Sequence, residues 1–448
     1  MKSATISGGA FATVLLVLVL AEQHQAFEQD VDARPATASS VASTKEVNQG
    51  FLYGRVTSDD GATYEGRLRF GGDEEAFWGD YFNGAKKGNP WAVHVERESA
   101  PVEIFGFAIG DRDTSVDRQF MARFGDIARI DAPVTGRFFQ LDFLRGRELR
   151  VTLKSGTVVH LDRFAADDFA DGVRVWDVRR GVVDLEEWQI RSIEFLPAGR
   201  IDAAPGRLHG TVHTAHGDFT GSLQWDRKES VGSDVLVGRT AGREERLRFD
   251  MIRSIERRSR NSSLVTLLDG RELALFGSRE GPEVAHGHRG IYVDDRRYGR
   301  VLVSWDAFER IDFSTGGSGP AYSDFPRGRP LTGSVTTRTG RRLTGRVVYD
   351  LDESETTETL DAPRRGIDYN IPFGLIASVT LKPAAASVTF HSGEELQVER
   401  SGDLGEGNAG MLMFGNGRER PEYVQWSDVQ KIDFDQPPVM YPPRGAPR

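Results

Sequence analysis

The stretch "VTLKSGTVVHL", Val151–Leu161, decides the fold. It recurs as "VTLLDGRELAL" from Val265 and as "VTFHSGEELQV" from Val388. In each copy, apolar residues alternate on both sides of a Ser-Gly or Asp-Gly pair. This is the pattern of a β-hairpin whose turn needs a positive φ at glycine. The sequence therefore predicts the same hairpin three times in an all-β protein with little α-helix.

Two related phrases extend this repeat. After each hairpin comes a strand led by glycine and then a closing motif, written Ile190-x-x-Ile193, Phe308-x-x-Ile311 and Val429-x-x-Ile432. Before each hairpin comes a unit that opens with Gly54-x-Val56, Gly210-x-Val212 or Gly333-x-Val335 and ends with Phe124-x-x-Ile127, Phe249-x-x-Ile252 or Phe373-x-x-Ile376. The spacing of three in the closing motifs predicts one turn of 3₁₀ helix that leads into a last strand.

Each repeat is thus a pair of units, and each unit has about five strands. The order of hairpin, bent strand and 3₁₀-then-strand resembles the Sm-like and SH3-like small β-barrels. That resemblance implies three tandem pairs of small barrels. It also suggests RNA binding, which is typical of Sm-like proteins, but their RNA-contacting asparagine and basic loop positions have no match in this sequence.

Composition changes mark the boundaries of the repeats. Segments rich in Pro and Gly are typical of linkers and extended tails. The predicted divisions are a signal peptide at 1–21, a flexible leader at 22–49, pair 1 with an aromatic insertion at 50–195, pair 2 at 206–313, a Gly/Pro linker at 314–330, pair 3 at 331–434 and a Pro-rich tail at 435–448.

The N-terminus has the features of a secretory signal. Lys2 precedes the apolar run Ala10–Ala21, and Val19 and Ala21 are small enough for signal peptidase. The run is short for a membrane span of about 20 residues. We therefore expect a periplasmic or secreted protein that is not an integral membrane protein after cleavage, with an uncleaved N-terminal anchor as the alternative.

Composition excludes several classes of function. The chain has no cysteine, so disulfides, thiolate metal sites and cysteine nucleophiles are ruled out. A net charge of −10 argues against nucleic acid as a partner, because general polyanion binders are basic. The sequence shows no Gly-x-Ser-x-Gly elbow and no phosphate-binding glycine loop that leads into a helix. We therefore expect a protein that is not an enzyme and has no cofactor.

An aromatic cluster is the candidate binding site. The segment "FWGDYFNGAKKGNPW", Phe77–Trp91, brings Trp78, Tyr81, Phe82 and Trp91 close together in the sequence. Aromatic faces beside amide and carboxylate groups suit stacking on a sugar ring or holding a peptide. We favour the interpretation that these aromatic residues are the core of an elaborated hairpin, and the segment is still the best candidate for a binding site in the chain.

Histidines and carboxylates form two further groups. His209, His213 and His216 are candidates for a zinc site, but the repeat has no histidine at the matching positions of the other pairs. We therefore favour exposed strand histidines and no metal. The acidic run Asp350–Asp361 is predicted to be a solvated loop, with calcium binding as the alternative.

Repeated small domains without catalytic motifs favour binding over catalysis. The predicted function is an exported scaffold of the bacterial cell envelope that acts through protein–protein contacts, including pairing at exposed strand edges. The alternative is a carbohydrate- or peptidoglycan-binding protein that uses residues 77–91. The predicted partner is thus an envelope protein or a cell-wall glycan.

Overall fold

A computed structural model describes most of the repeat region. The described residues are 50–71, 74–95, 101–104, 107–111, 118–132, 148–162, 166–198, 205–277, 283–316, 319–415 and 420–436. They belong to one compact unit, Glu46–Arg448. The predicted signal peptide, the leader and residues 437–448 of the tail lie outside the described residues.

The described part is all-β, as predicted, and its longest helix is the single turn Asp167–Ala170. The strands of pair 1 are β1 Tyr53–Ser58, β2 Thr63–Phe70, β3 Tyr81–Lys86, β4 Pro101–Ile104, β5 Phe107–Asp111, β6 Arg118–Arg123, β7 Ile127–Asp131, β8 Glu148–Leu153, β9 Val158–Asp162, β10 Val173–Asp177, β11 Gly181–Leu185 and β12 Ile190–Phe195. No helix in the described part of the chain is long and apolar enough to cross a membrane.

Pairs 2 and 3 repeat the strand pattern of pair 1. The strands of pair 2 are β13 His209–Thr214, β14 Gly217–Gln224, β15 Val235–Arg239, β16 Glu244–Arg248, β17 Ile252–Ser259, β18 Ser262–Leu267, β19 Glu272–Phe276, β20 Ile291–Asp295, β21 Gly299–Val303 and β22 Phe308–Phe313. The strands of pair 3 are β23 Thr332–Thr337, β24 Arg342–Val348, β25 Thr359–Arg364, β26 Ile367–Pro372, β27 Ile376–Leu381, β28 Ala385–Phe390, β29 Glu395–Glu399, β30 Met411–Phe414, β31 Glu422–Val424 and β32 Val429–Phe434.

Short 3₁₀ turns connect many of these strands, as the spacing of the closing motifs predicted. They are Ala92–His94, Phe124–Asp126, Glu187–Gln189, Phe249–Met251, Tyr322–Asp324, Phe373–Leu375, Gly402–Leu404 and Trp426–Asp428. Five of them directly precede the last strand of a half-pair: those that begin at Phe124, Glu187, Phe249, Phe373 and Trp426.

The three quoted stretches form the predicted hairpins β8–β9, β18–β19 and β28–β29. Val151 pairs with Val159, Val265 with Leu273 and Val388 with Leu396. The turn glycines Gly156, Gly270 and Gly393 have φ values of 98°, 88° and 89°. Only glycine adopts this conformation without a steric penalty from a Cβ atom, so the turn chemistry sets the register of each hairpin.

The two halves of a pair do not fold as consecutive barrels. In pair 1 the sheet order is β11-β10-β2-β1-β12-β7-β8-β9-β3-β6. The first hairpin, β1–β2, therefore pairs with β12 and β10 of the second half. The second hairpin, β8–β9, pairs with β7 and β3 of the first half. The halves exchange hairpins, and no sheet among the described residues closes on itself.

Pair 2 has the same strand order, and pair 3 departs from it at one place. The order in pair 2 is β21-β20-β14-β13-β22-β17-β18-β19-β15-β16. In pair 3 the β25–β26 hairpin is bonded to β21 of pair 2, which gives sheets of ten, twelve and eight strands, beside the small β4–β5 sheet. The sheet of pair 2 therefore continues into pair 3.

Pairs of facing glycines allow the strands of each sheet to lie close together. Gly54 lies opposite Gly66 on the first hairpin of pair 1, and Gly210–Gly221 and Gly333–Gly345 are the same pairs in the other repeats. A methyl group on any of these six glycines would overlap a carbonyl oxygen of the neighbouring strand. The glycines thus let the strands of the other half come close on both sides of the hairpin.

The predicted linker between pairs 2 and 3 packs against pair 1. Tyr322 and Phe325 belong to the apolar core of pair 1 and are 9% and 3% exposed. The Tyr322 hydroxyl donates to the carbonyl of Ile127 over 2.8 Å, and the Lys154 ammonium lies 3.5 Å from the Tyr322 ring centroid. Pairs 2 and 3 share one core cluster, so contacts join each pair to the other two.

His288 fills a core position of pair 2 that Asn408 fills in pair 3. The Gly290 amide donates to His288 Nδ1 over 3.0 Å, and the Gly410 amide donates to Asn408 Oδ1 over 2.8 Å. The His288 ring lies 4.7 Å from Trp225 and 5.0 Å from the stacked ring of Trp305. Burial, and then Arg289 and Arg227, lower the pKa of His288 to about 3.

This histidine should make folding sensitive to acid. Its folded pKa lies below the ordinary 6.5, so its contribution to stability is present above that pH and is lost as the pH falls towards 3. The unfolding free energy of the wild type should fall between neutral pH and about pH 4. That of the variant His288→Asn should fall by on the order of 2 kcal/mol less over the same range. Urea unfolding at several pH values measures this difference, and equal losses would contradict it.

Candidate functional site

Three of the four predicted aromatic site residues lie in the interior. Trp78, Tyr81 and Phe82 are 4%, 2% and 0% exposed. Their turn is part of the repeat, since the bridges Phe70–Glu74, Trp225–Glu229 and Tyr349–Glu353 open the same turn in all three pairs. The three side chains therefore have almost no face to offer a sugar ring, and the chain unique to pair 1 begins after β3.

Trp91, the fourth aromatic residue, contacts pair 3. Its ring lies 6.0 Å from the ring of Phe414 in an edge-on contact, and the Arg346 guanidinium lies 5.4 Å from its centroid. The side-chain amide of Asn89 donates from Nδ2 to the carbonyl of Leu351 over 2.8 Å. These contacts attach the start of the chain unique to pair 1 to the surface of pair 3.

The candidate zinc histidines do not converge. His209 Nδ1 lies 2.9 Å from Ser314 Oγ, while His213 pairs with Asp218 at 2.9 Å and with Asp312 at 3.2 Å. Among the described residues, no three His, Asp or Glu side chains are arranged to hold a metal ion. His213 on β13 instead contacts a carboxylate on each of the two neighbouring strands.

The acidic run of pair 3 forms ion pairs with basic residues of pair 1. Lys86 on β3 lies 2.9 Å from Asp352 and 3.1 Å from Glu358, and Arg118 on β6 lies 3.2 Å from Asp350. The side chains of all three carboxylates are mostly buried. The predicted solvated loop is therefore a joint between two pairs, and its carboxylates are engaged by the side chains that a bound calcium ion would have to displace.

A cavity of 420 Å³ lies at this joint. Burial, followed by the nearby Asp361 carboxylate, raises the pKa of Asp403 to about 8. Burial lowers the pKa of Lys86, but Glu358 and Asp352 more than offset it, so the net shift is upward. The cavity is thus strongly acidic and already holds an internal cation, Lys86.

A buried polar network joins pair 1 to pair 2. Asp80 Oδ1 accepts from Arg207 Nη2 at 3.0 Å and from Gln224 Nε2 at 2.9 Å, and its Oδ2 accepts from the amides of Glu75 and Ala76. The side chains of Asp80 and Arg207 are 0% and 2% exposed. Sequence reasoning missed this clamp, because an isolated Asp among aromatic residues gives no sign of a distant arginine.

The three large sheets of the described residues end in six strand edges, which differ in sequence and length. Strands β11, β16 and β31 each end a sheet among the described residues. Strand β16, "EERLR", carries four charges, and β31 is only three residues long. Both features are common protections against unwanted strand pairing. Strand β11, "GVVDL", is five residues long and carries one charge, Asp184, which is ion-paired with Arg174 of the neighbouring strand.

Exposed apolar side chains lie beside the β11 edge. Val182 on the strand is 58% exposed and Val178 in the preceding turn is 70% exposed. Trp188, three residues beyond the strand, is 60% exposed, whereas Trp305 and Trp426 in the matching segments are 4% and 5% exposed. The sequence carried a signal for this, since Trp188 is one residue out of register with the other two.

The counterpart of β11 in pair 2 already binds an added strand. Gly299 of β21 lies opposite Asp295, as Gly181 of β11 lies opposite Asp177, so the two strands are equivalent. β26 of pair 3 pairs antiparallel with the free side of β21. β11 therefore occupies the position in pair 1 that β21 occupies in pair 2. Among the described residues, no strand is paired with the outer edge of β11.

No known protein family matches the sequence, and no characterised protein or solved structure shows significant similarity to it.

Proposed function

We propose that this protein is a non-enzymatic binding scaffold that takes up an extended segment of a partner protein at the edge of β11. The observation that carries the proposal is that the edge of β11, which carries a single charge, is equivalent to the edge of β21 to which β26 is already paired. Strand addition of this kind uses main-chain hydrogen bonds for affinity and alternate side chains for specificity.

The register of β26 on β21 indicates the chemistry of the partner segment. Tyr369 and Ile367 of β26 lie opposite Val301 and Val303 and are buried. The residues of β11 that match Val301 and Val303 are Val183 and Leu185. The partner segment is therefore an extended strand with large apolar residues at every second position, paired antiparallel to β11.

Export to the cell envelope is part of the same proposal. Residues 1–21 have the charge, length and small residues of a secretory signal, and an acidic, cysteine-free chain suits an envelope protein. The five-strand blocks made by exchanged hairpins are the units that we compare with SH3-like and Sm-like barrels. The partner is then a protein of the envelope, and the net charge of −10 argues against nucleic acid.

A charge placed on the β11 edge should abolish partner binding. Val182 is 58% exposed, so the variant Val182→Lys should fold normally while it copies the charged protection of β16. Val158→Lys is the matched control, because Val158 is 47% exposed on β9 of the same pair and away from the edge. Both variants and the wild type are used to capture partners from a washed envelope fraction.

The proposal expects a stoichiometric protein that copurifies with the wild type and with Val158→Lys. Its yield should fall about tenfold or more with Val182→Lys, because the partner strand can no longer approach the edge. Equal capture by all three proteins would contradict docking at β11, and cell-wall glycan without protein would contradict the scaffold function.

A further inference from the structure

A second cavity, of 480 Å³, lies over one face of the pair 2 sheet. Its floor includes a row of side chains that lie directly opposite one another on neighbouring strands, His209 on β13, Ser222 on β14 and Asp294 on β20. Trp78 of pair 1 lines the cavity from the side. The cavity therefore has a polar floor and lies at the joint between two pairs.

Asp294 is a buried acceptor without a donor. It is 2% exposed, and neither of its carboxylate oxygens has a hydrogen-bond partner among the described residues. Its cross-strand neighbour Arg300 donates instead to Gln224 over 2.9 Å and stacks on Tyr292 at 3.6 Å. A buried carboxylate without a hydrogen-bond donor is costly, so a ligand that donates to it would recover this free energy.

Further polar groups around Asp294 complete a hydrogen-bonding floor. The hydroxyl groups of Thr211 and Thr220 lie 2.9 Å apart and line the cavity with Ser222. Burial, and then Arg207 and Arg296, lower the pKa of His209, so its ring is neutral near neutral pH. Hydroxyls and a neutral imidazole both donate and accept, which suits a ligand with several hydroxyl groups.

Charge around the cavity selects against ionic ligands. Burial raises the pKa of Asp294 to about 7, while Arg123 and Arg300 act in the opposite direction. These arginines would repel a cation that approached Asp294. The rest of the charged lining pairs Asp218 and Asp295 with Arg296 and Arg297, so it favours neither a cation nor an anion. A neutral donor supplies the missing hydrogen bonds without a charge penalty.

We propose that this cavity binds a neutral polyhydroxylated molecule of sugar-ring size, whose hydroxyl groups donate to Asp294. Its volume lies within the range of about 300–1,000 Å³ that is usual for small-molecule sites. The site is separate from the β11 edge, so it adds a ligand to the proposed scaffold function.

Calorimetric titration of the full-length protein with glucose, galactose and N-acetylglucosamine tests the proposal. At least one sugar should bind saturably, and Asp294→Asn should weaken that binding about tenfold or more, since it replaces an accepting carboxylate oxygen by a donating amide group while keeping the side-chain size. Asp250→Asn, at an exposed carboxylate outside the cavity lining, is the matched control and should bind normally. Thr220→Val at the cavity rim is the second variant and should also weaken binding.

Three results would overturn the site. They are the absence of binding for all three sugars, binding that Asp294→Asn and Thr220→Val leave unchanged, and binding of arginine amide in place of a sugar. Failure here is distinct from failure of the scaffold function, because Val182→Lys should bind the sugar as the wild type does. Thermal unfolding of each variant confirms that it is folded before titration.

Discussion

Replacing Asp80 with alanine should lower the free energy of unfolding by about 3–5 kcal/mol. The substitution leaves the buried Arg207 guanidinium without its carboxylate, and it removes the acceptor for the amides of Glu75 and Ala76. Loss of one partner from a buried ion pair is costly because the remaining charge stays in a poorly solvating interior. Urea unfolding followed by tryptophan fluorescence measures the change.

The repeat itself provides the matched control. Asp234 accepts from the amides of Ser230 and Val231 in the equivalent turn, and it has no ion pair among the described residues. Asp234→Ala should therefore cost only about 1–2 kcal/mol, the value of a turn cap. The difference between the two variants measures the clamp between pairs 1 and 2, and equal losses would show that the clamp contributes nothing.

Gly333→Ala should destabilise the protein by about 3 kcal/mol. A methyl group at this position would overlap the carbonyl oxygen of Asp433 and crowd the backbone of Phe434. Backbone atoms of a paired strand cannot rotate away as a side chain does. The whole of β32 must therefore move, and its pairing with β23 is weakened.

Gly242→Ala is the control for this substitution. Gly242 lies in the turn between β15 and β16, and a methyl group there meets no atom within 4 Å. The change should be neutral or slightly stabilising, because alanine restricts the unfolded chain. If both variants unfold at the same urea concentration, then β23 and β32 do not approach as closely as the glycine pairs indicate.

The features that the sequence predicted well are local. The turn glycines and the 3₁₀ turns before the last strands both follow from patterns of a few residues. In such patterns the hydrogen bonds and the φ requirement lie within the segment itself. The sequence therefore specifies these elements without knowledge of the tertiary partner.

The exchange of hairpins could not be predicted in this way. The hairpins β1–β2 and β8–β9 are related in sequence, so either half can complete the other with similar strand pairing. Exchange between like elements costs little free energy, and the repeat pattern is the same with or without it. Strand order is a property of the whole pair, whereas the phrases of the sequence describe only its parts.

The contacts that bury the aromatic segment could not be predicted either, because they also depend on the arrangement of the whole chain. Trp78 and Tyr81 were reasonable candidates for an exposed platform because they sit beside polar residues in the sequence. In the structure, the linker residue Phe325 packs on Trp78 with ring centroids 6.2 Å apart, and Arg300 of pair 2 lies 4.6 Å from the Tyr81 ring. Residues distant in sequence thus cover these aromatic rings.

Hydrogen exchange on the full-length protein, alone and with the captured envelope partner, tests strand addition most directly. If the partner pairs with β11, the alternate backbone amides of residues 181–185 that point away from β10 become protected on binding, while those of β16 and β31 exchange as before. Partner binding that leaves exchange in β11 unchanged would contradict a scaffold that works through this edge.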